Sequence, residues 1–136
     1  MTTAHHTTLN VLVVQLDEGG PVNVAGDSVV VVAPAVNSRL RRWASDEDHA
    51  RGAAEDRLAA YLDRLERAGV HASGRVGDSD AVQAIADTLP TFAADAIVIA
   101  SHDERSRRLA RDVARSARRR FGLPVVHAEA PLARTA

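Results

Sequence analysis

Short runs of valine, isoleucine and leucine constrain the fold of this chain more than any other feature. The runs at residues 9–16, 28–33, 96–100 and 125–128 are almost wholly apolar and rich in β-branched side chains. Strands buried on both faces of a sheet have this composition. A weaker alternation predicts a further strand at residues 70–76.

Most of the segments between these strands have apolar residues at helical spacing, which predicts three helices. Ser45 followed by three acids predicts a helix N-terminus, and Gly69 is placed just past the end of that helix. Ser79 or Asp80 caps a second helix, which Pro90 shortens, and a third helix covers residues 104–121. The predicted core positions are Ala54, Leu58, Tyr61 or Leu62, Leu65 and Ala68 in the first helix; Val82, Ile85, Ala86, Leu89 and Phe92 in the second; and Leu109, Val113, Ala117 and Phe121 in the third.

The order of these elements predicts a single α/β domain over residues 9–128. Strands separated by helices require right-handed crossovers, and these give a doubly wound, mostly parallel, five-stranded sheet of the Rossmann-like kind. The connection at residues 17–27 is too short for a normal crossover helix. It is either an extended loop, with the first crossover helix missing or degraded, or the turn of a hairpin. Residues 1–8 and 129–136 are predicted to be flexible termini.

Composition excludes several classes of site and partner. The chain has no cysteine, and its 17 basic residues are all arginine, which excludes thiolate metal sites, Schiff-base chemistry and the P-loop lysine. A net charge of −1 and 3% aromatic residues argue against nucleic-acid binding as the main function. No apolar run reaches membrane-spanning length and no signal peptide is recognisable, so we expect a cytoplasmic protein without a membrane partner.

Three short motifs resemble the C-terminal half of a universal stress protein domain. They are the Val76-Gly77-Asp78 string, the strand with its flanks at residues 94–101 (ADAIVIAS), and the Gly-Leu-Pro-Val-Val string at residues 122–126. Asp17, at the end of the first strand, also matches an Asp of that family. The resemblance covers roughly residues 9–128. It implies a five-stranded fold like that of the adenine nucleotide alpha hydrolases, homodimers, and binding of ATP or AMP.

The segment after the fourth strand departs from the nucleotide-binding members of that family. They carry a Gly-x-x-Gly loop there and a Gly-Ser pair about ten residues later, whose backbone N–H groups approach the phosphates. Here residues 101–108 (SHDERSRR) contain no glycine, and Arg111-Asp112 stands in the Gly-Ser position. The sequence therefore predicts a non-enzymatic accessory or regulatory domain with lost or weakened ATP binding. Its homodimer would form through the last strand, an apolar edge that needs cover.

Ligands of open α/β sheets bind beyond the carboxyl ends of the strands. The candidate cofactor-binding positions at these ends are Asp17, Pro34, Ala35, Val36, Gly77, Ser101 and His102, and the arginine-based alternative adds Arg111. Of these, Asp17, Gly77 and Ser101 are the positions that the resemblance carries over. The alternatives are a turn role for Asp17 and a left-handed glycine at Gly77. His102 is a helix-capping or surface histidine rather than a base acting on Ser101, because adjacent side chains at a strand end point apart. We predict no catalytic residue and, with His5-His6 on a solvated tail, no metal site.

The third helix carries a row of arginines. Arg105, Arg108, Arg111, Arg115, Arg118 and Arg119 lie away from its predicted core stripe. The first three could grip the phosphates of an adenine nucleotide bidentately, which is the alternative function, and the whole row could bind nucleic acid. A solvated surface whose arginines pair with the acids of residues 44–66 is the interpretation we favour here. Trp43 is assigned to packing, with a lid over the crevice as the alternative.

Overall fold

A computed structural model describes residues 9–17, 26–35 and 47–128 of the 136-residue chain. Five strands and three helices follow one another in these ranges: β1 (Asn10–Gln15), β2 (Ser28–Pro34), α1 (Glu47–Arg67), β3 (Ala72–Gly77), α2 (Ala81–Thr88), β4 (Ala96–Ala100), α3 (Glu104–Phe121) and β5 (Val125–Ala128). The predicted bounds of β4, α3 and β5 are confirmed, whereas β3 is shifted toward the C-terminus.

The five strands form one parallel sheet in the order β3-β2-β1-β4-β5. This confirms the predicted α/β, Rossmann-like arrangement. Residue 11 pairs with residue 29 on one side and with residue 96 on the other, so β1 is the central strand. The parallel pairing of β1 with β2 excludes a hairpin between them. The connection itself, residues 18–25, lies outside the described residues.

The two faces of the sheet bury different helices. Leu12, Val14, Ile97 and Ile99 point to the face covered by α2 and α3. The alternate side chains of β1 and β2, such as Val13, point to the opposite face, where α1 packs. Because successive side chains of a strand alternate between faces, strands that are apolar throughout supply both cores.

Local capping explains where the helices begin and end. Asp80 accepts hydrogen bonds from the backbone N–H groups of residues 82 and 83, which confirms it as the cap of α2. Gly69 (φ 84°) follows α1, where the N–H of Val70 donates to the carbonyl of Leu65 in a Schellman motif. Gly122 (φ 66°) ends α3. None of the described helices is long and apolar enough to cross a membrane.

Several predicted core positions are corrected by the structure. Leu109 is 37% exposed, because α3 turns a stripe of small side chains toward the sheet instead. That buried stripe consists of Ser106, Ala110, Val113, Ala114 and Ala117. Ala68 is exposed just beyond the end of α1, while Tyr61 is buried and Leu62 is partly buried. His5, His6, Val36, Trp43 and Ser45 lie outside the described residues.

Gly77 ends β3 where α2 crosses closely over the sheet. Its φ is not in the left-handed region, so that explanation of the glycine is wrong. A Cβ at this position would lie 2.7 Å from the Cβ of Ala84 and 2.9 Å from a methyl of Val32. Glycine is therefore needed here for packing of the helix on the strand.

We expect Gly77→Ala to lower the free energy of unfolding by about 1–3 kcal/mol, because overpacking displaces α2 from β2. Gly52→Ala is the matched control: nothing lies within 4 Å of its Cβ position, and the residue is inside α1. That variant should be more stable than wild type by about 0.5–1 kcal/mol. Urea denaturation followed by circular dichroism measures both, and a Gly77→Ala variant of wild-type stability would contradict this account.

Candidate functional site

The carboxyl ends of the strands bring the predicted site residues to one edge of the sheet in two groups. Asp17 follows β1, and Ser101 and His102 follow the neighbouring β4. Pro34 ends β2 and pairs in register with Gly77 at the end of β3, where the N–H of Ala35 donates to the carbonyl of Gly77. The strands that follow β1 and β4 in the chain, β2 and β5, lie on opposite sides of this pair, so the first group lies at the switch point of the strand order.

The Asp17 carboxylate fastens the segment between β4 and α3. One oxygen accepts hydrogen bonds from the backbone N–H groups of His102 (2.6 Å) and Asp103 (3.0 Å). The other lies 3.0 Å from Nδ1 of His102. Because a carboxylate oxygen only accepts, Nδ1 carries the proton in this contact. The Asp17 side chain is 9% exposed, so these bonds form away from bulk water.

Ser101 is held from the other side by β5. Its side chain is fully buried, and its Oγ lies 2.6 Å from Nε2 of His127. Ser101 and His102 therefore point apart, as expected at a strand end, and the serine hydroxyl has a different histidine as its partner.

Arg57, on α1, fixes the end of β2. Its guanidinium donates to the carbonyl of Pro34 over 2.7 Å. The buried amide of Gln15 donates to the carbonyl of Arg57 itself, which ties β1 to the same turn of α1. Through these two hydrogen bonds, Arg57 joins α1 to the ends of β1 and β2.

Arg111 is separated from this edge. It lies on the exposed outer side of α3, seven residues past Glu104, or about 10 Å along the helix axis. Arg105 and Arg108 are likewise exposed. The structure therefore brings Asp17, Ser101 and His102 together and leaves Arg111 apart from them.

Sequence reasoning missed His127, Arg57 and Gln15. A signal existed for the first and last of these, since each is a polar side chain inside an apolar strand. The register of β4 with β5, which puts His127 opposite Ile99, decides that His127 reaches Ser101, and a single sequence does not contain that register. The role of Arg57 depends on how α1 lies over β2.

No protein-family model matches the sequence, and no curated protein matches it significantly.

We expect Asp17→Ala to lower the free energy of unfolding by about 2 kcal/mol, since it removes the acceptor of two backbone N–H groups and of Nδ1. Amide hydrogen exchange at His102 and Asp103 should accelerate selectively. Asp112→Ala removes the same charge from an exposed side chain whose ion pair with Arg115 measures 3.7 Å, and it should change stability by less than about 0.5 kcal/mol. Unchanged exchange at His102 and Asp103 in Asp17→Ala would contradict the role given to this carboxylate.

Proposed function

We propose that this chain is a non-enzymatic accessory or regulatory domain of the universal-stress-protein type, in which ATP binding at the strand ends is lost or weakened. The proposal rests first on the sequence motifs and on their order along the chain. The five-stranded parallel sheet with the order 3-2-1-4-5 is compatible with it.

The observation that carries the loss of ATP binding is the occupation of the loop after β4 by the chain's own carboxylates. Asp17 takes the N–H groups of His102 and Asp103, and Asp103 accepts from the N–H of Ser106 as the cap of α3. Donors at a helix N-terminus are the groups that bind phosphates. The carboxylates of Asp17 and Asp103 already accept hydrogen bonds from these donors. Their negative charges would therefore repel a phosphate that approached the same N–H groups.

The alternative, an adenine-nucleotide module that uses arginines in place of glycines, is less well supported by this geometry. It needs Arg105, Arg108 and Arg111 to converge on one phosphate chain near the end of β4. Arg105 lies in the first turn of α3, close to the Asp17 contact, but Arg108 and Arg111 lie about 4.5 and 9 Å further along the helix axis.

A thermal-shift titration with ATP and AMP, with and without magnesium, tests this function. Saturation at about 100 times the Kd would add roughly 2.7 kcal/mol and raise the Tm by several degrees. We expect no resolvable shift at millimolar nucleotide. A shift in wild type that Arg111→Glu abolishes would contradict the proposal and establish the arginine-based alternative.

We further propose that two copies pair through β5. This strand is one edge of the sheet, it contains only Val125–Ala128, and Val126 is 55% exposed. An apolar edge strand left open is a template for pairing with another chain. Antiparallel pairing with a second β5 would continue the sheet from one copy into the other and would cover both Val126 side chains.

Light scattering should give twice the chain mass of 14.5 kDa at high micromolar concentration. Val126→Arg should give the monomer mass, because two guanidinium groups would face each other across the pair. Leu9→Arg, which also places a charge on an exposed apolar side chain (40% exposed), is the matched control and should remain a dimer. A monomeric wild-type protein would contradict the pairing.

A further inference from the structure

The outer side of α3 carries an exposed row of six arginines. This arginine stripe consists of Arg105, Arg108, Arg111, Arg115, Arg118 and Arg119, and all six are exposed. With a rise of 1.5 Å per residue, the stripe is about 21 Å long. Within the described ranges, Arg118 donates to the carbonyl of Val125 and Arg115 forms a loose ion pair with Asp112. The side chains of the other four, Arg105, Arg108, Arg111 and Arg119, form no hydrogen bond or ion pair with described residues.

The acids of α1 do not neutralise this stripe. The interpretation that the arginines pair with residues 44–66 is not supported, because α1 packs on one face of the sheet and α3 on the other. Each helix layer lies about 10 Å from the sheet, so the two outer surfaces are more than about 20 Å apart. The Debye length at physiological salt is about 8 Å. On the side of the sheet that α2 and α3 cover, the two helices and their N-caps carry five exposed acids, namely Asp80, Asp87, Asp103, Glu104 and Asp112. The eight arginines of α3 outnumber them, so this side keeps an excess of positive charge although the net charge of the chain is −1.

The stripe fits a long, regular polyanion better than an acidic protein surface. Protein partners are normally anchored by buried apolar or aromatic side chains. On the exposed side of α3 the large apolar side chain is Leu109, which is 37% exposed. Binding here would depend on charge alone, and release of condensed counterions makes such binding favourable for nucleic acid. Guanidinium groups also contact phosphates bidentately.

The form of the nucleic acid follows from the shape of the stripe and from its lack of aromatic rings. Single strands are held by stacking on aromatic side chains, whereas Tyr61 is buried and Phe92 and Phe121 pack against the core. A helix about 10–12 Å wide matches the major groove of B-form DNA, about 12 Å wide, and the major groove of A-form RNA is too narrow for it. We propose that the arginine stripe of α3 binds the phosphate backbone of double-stranded DNA without reading its sequence. This inference is independent of the proposed function.

Fluorescence anisotropy with a labelled DNA duplex of about 20 base pairs, roughly two helical turns, tests the proposal. If four arginines contact phosphates, the logarithm of the binding constant should fall with the logarithm of the salt concentration with a slope of about −3 to −4. The triple variant Arg108→Gln, Arg111→Gln, Arg115→Gln should bind at least about tenfold more weakly at 50 mM salt, with a slope shallower by about 3.

The matched control is Arg51→Gln, Arg64→Gln, Arg67→Gln. It removes the same charge from exposed arginines of α1 and should bind DNA like wild type. Circular dichroism melting of both triple variants checks that they fold. The salt slope of the wild-type protein tests the proposal independently of any variant.

Three results would overturn the proposal. These are no binding of wild type at 50 mM salt, equal weakening by the two triple variants, and tighter binding of duplex RNA or polyglutamate than of duplex DNA. The nucleotide titration uses mononucleotides and the duplex measurement uses DNA, so the two outcomes are read separately. A nucleotide shift that Arg111→Glu abolishes would contradict the proposed function, and the results named above for the duplex would overturn the DNA proposal.

Discussion

The hydrogen bonds of the Asp17 carboxylate hold together the place where the two central strands end. β1 and β4 are neighbours, and the strands that follow them in the chain, β2 and β5, lie on opposite sides of this pair in the strand order. In open α/β folds ligands bind beyond the carboxyl ends of the strands at such a point. Here the Asp17 carboxylate at the end of β1 accepts hydrogen bonds from the N–H groups of His102 and Asp103 at the end of β4. The start of α3, and with it the direction of the whole helix, depends on this contact.

The same contacts explain why the loop after β4 contains no glycine. Glycine is needed where a phosphate must approach the backbone closely or where the backbone adopts a left-handed conformation. The polar groups of residues 101–103 are instead bonded within the protein, since Ser101 contacts His127 and the N–H groups of His102 and Asp103 donate to Asp17. Ordinary side chains are compatible with a loop that is held in this way.

The sequence was sufficient to predict strands and helices that have a strong apolar or helical pattern. It was insufficient for features that depend on packing between elements, such as strand direction and the orientation of a helix on the sheet. The bounds of β4, α3 and β5 followed from one apolar run, one helical segment with a Gly-x-Pro stop, and a second apolar run. The direction of β2 relative to β1 did not follow, because the 12 residues between Gln15 and Ser28 suit a hairpin loop as well as a short crossover. Leu109 was misplaced because small side chains at positions 110, 114 and 117 let α3 lie close to the sheet, which rotates the leucine outward.

The hydrogen bonds of Asp17 and the buried small side chains of α3 together determine how firmly the arginines on the outer face of that helix are positioned. A helix tied at its N-terminus and packed closely through Ala110, Ala114 and Ala117 has little freedom to roll on the sheet. The arginines opposite this face are therefore carried by a rigid backbone. Ordering a binding surface costs free energy on association, and a surface whose backbone is already ordered avoids part of that cost. The hydrogen bonds of Asp17 at the carboxyl ends of the strands thus also help to fix the position of the charged surface on one face of the sheet.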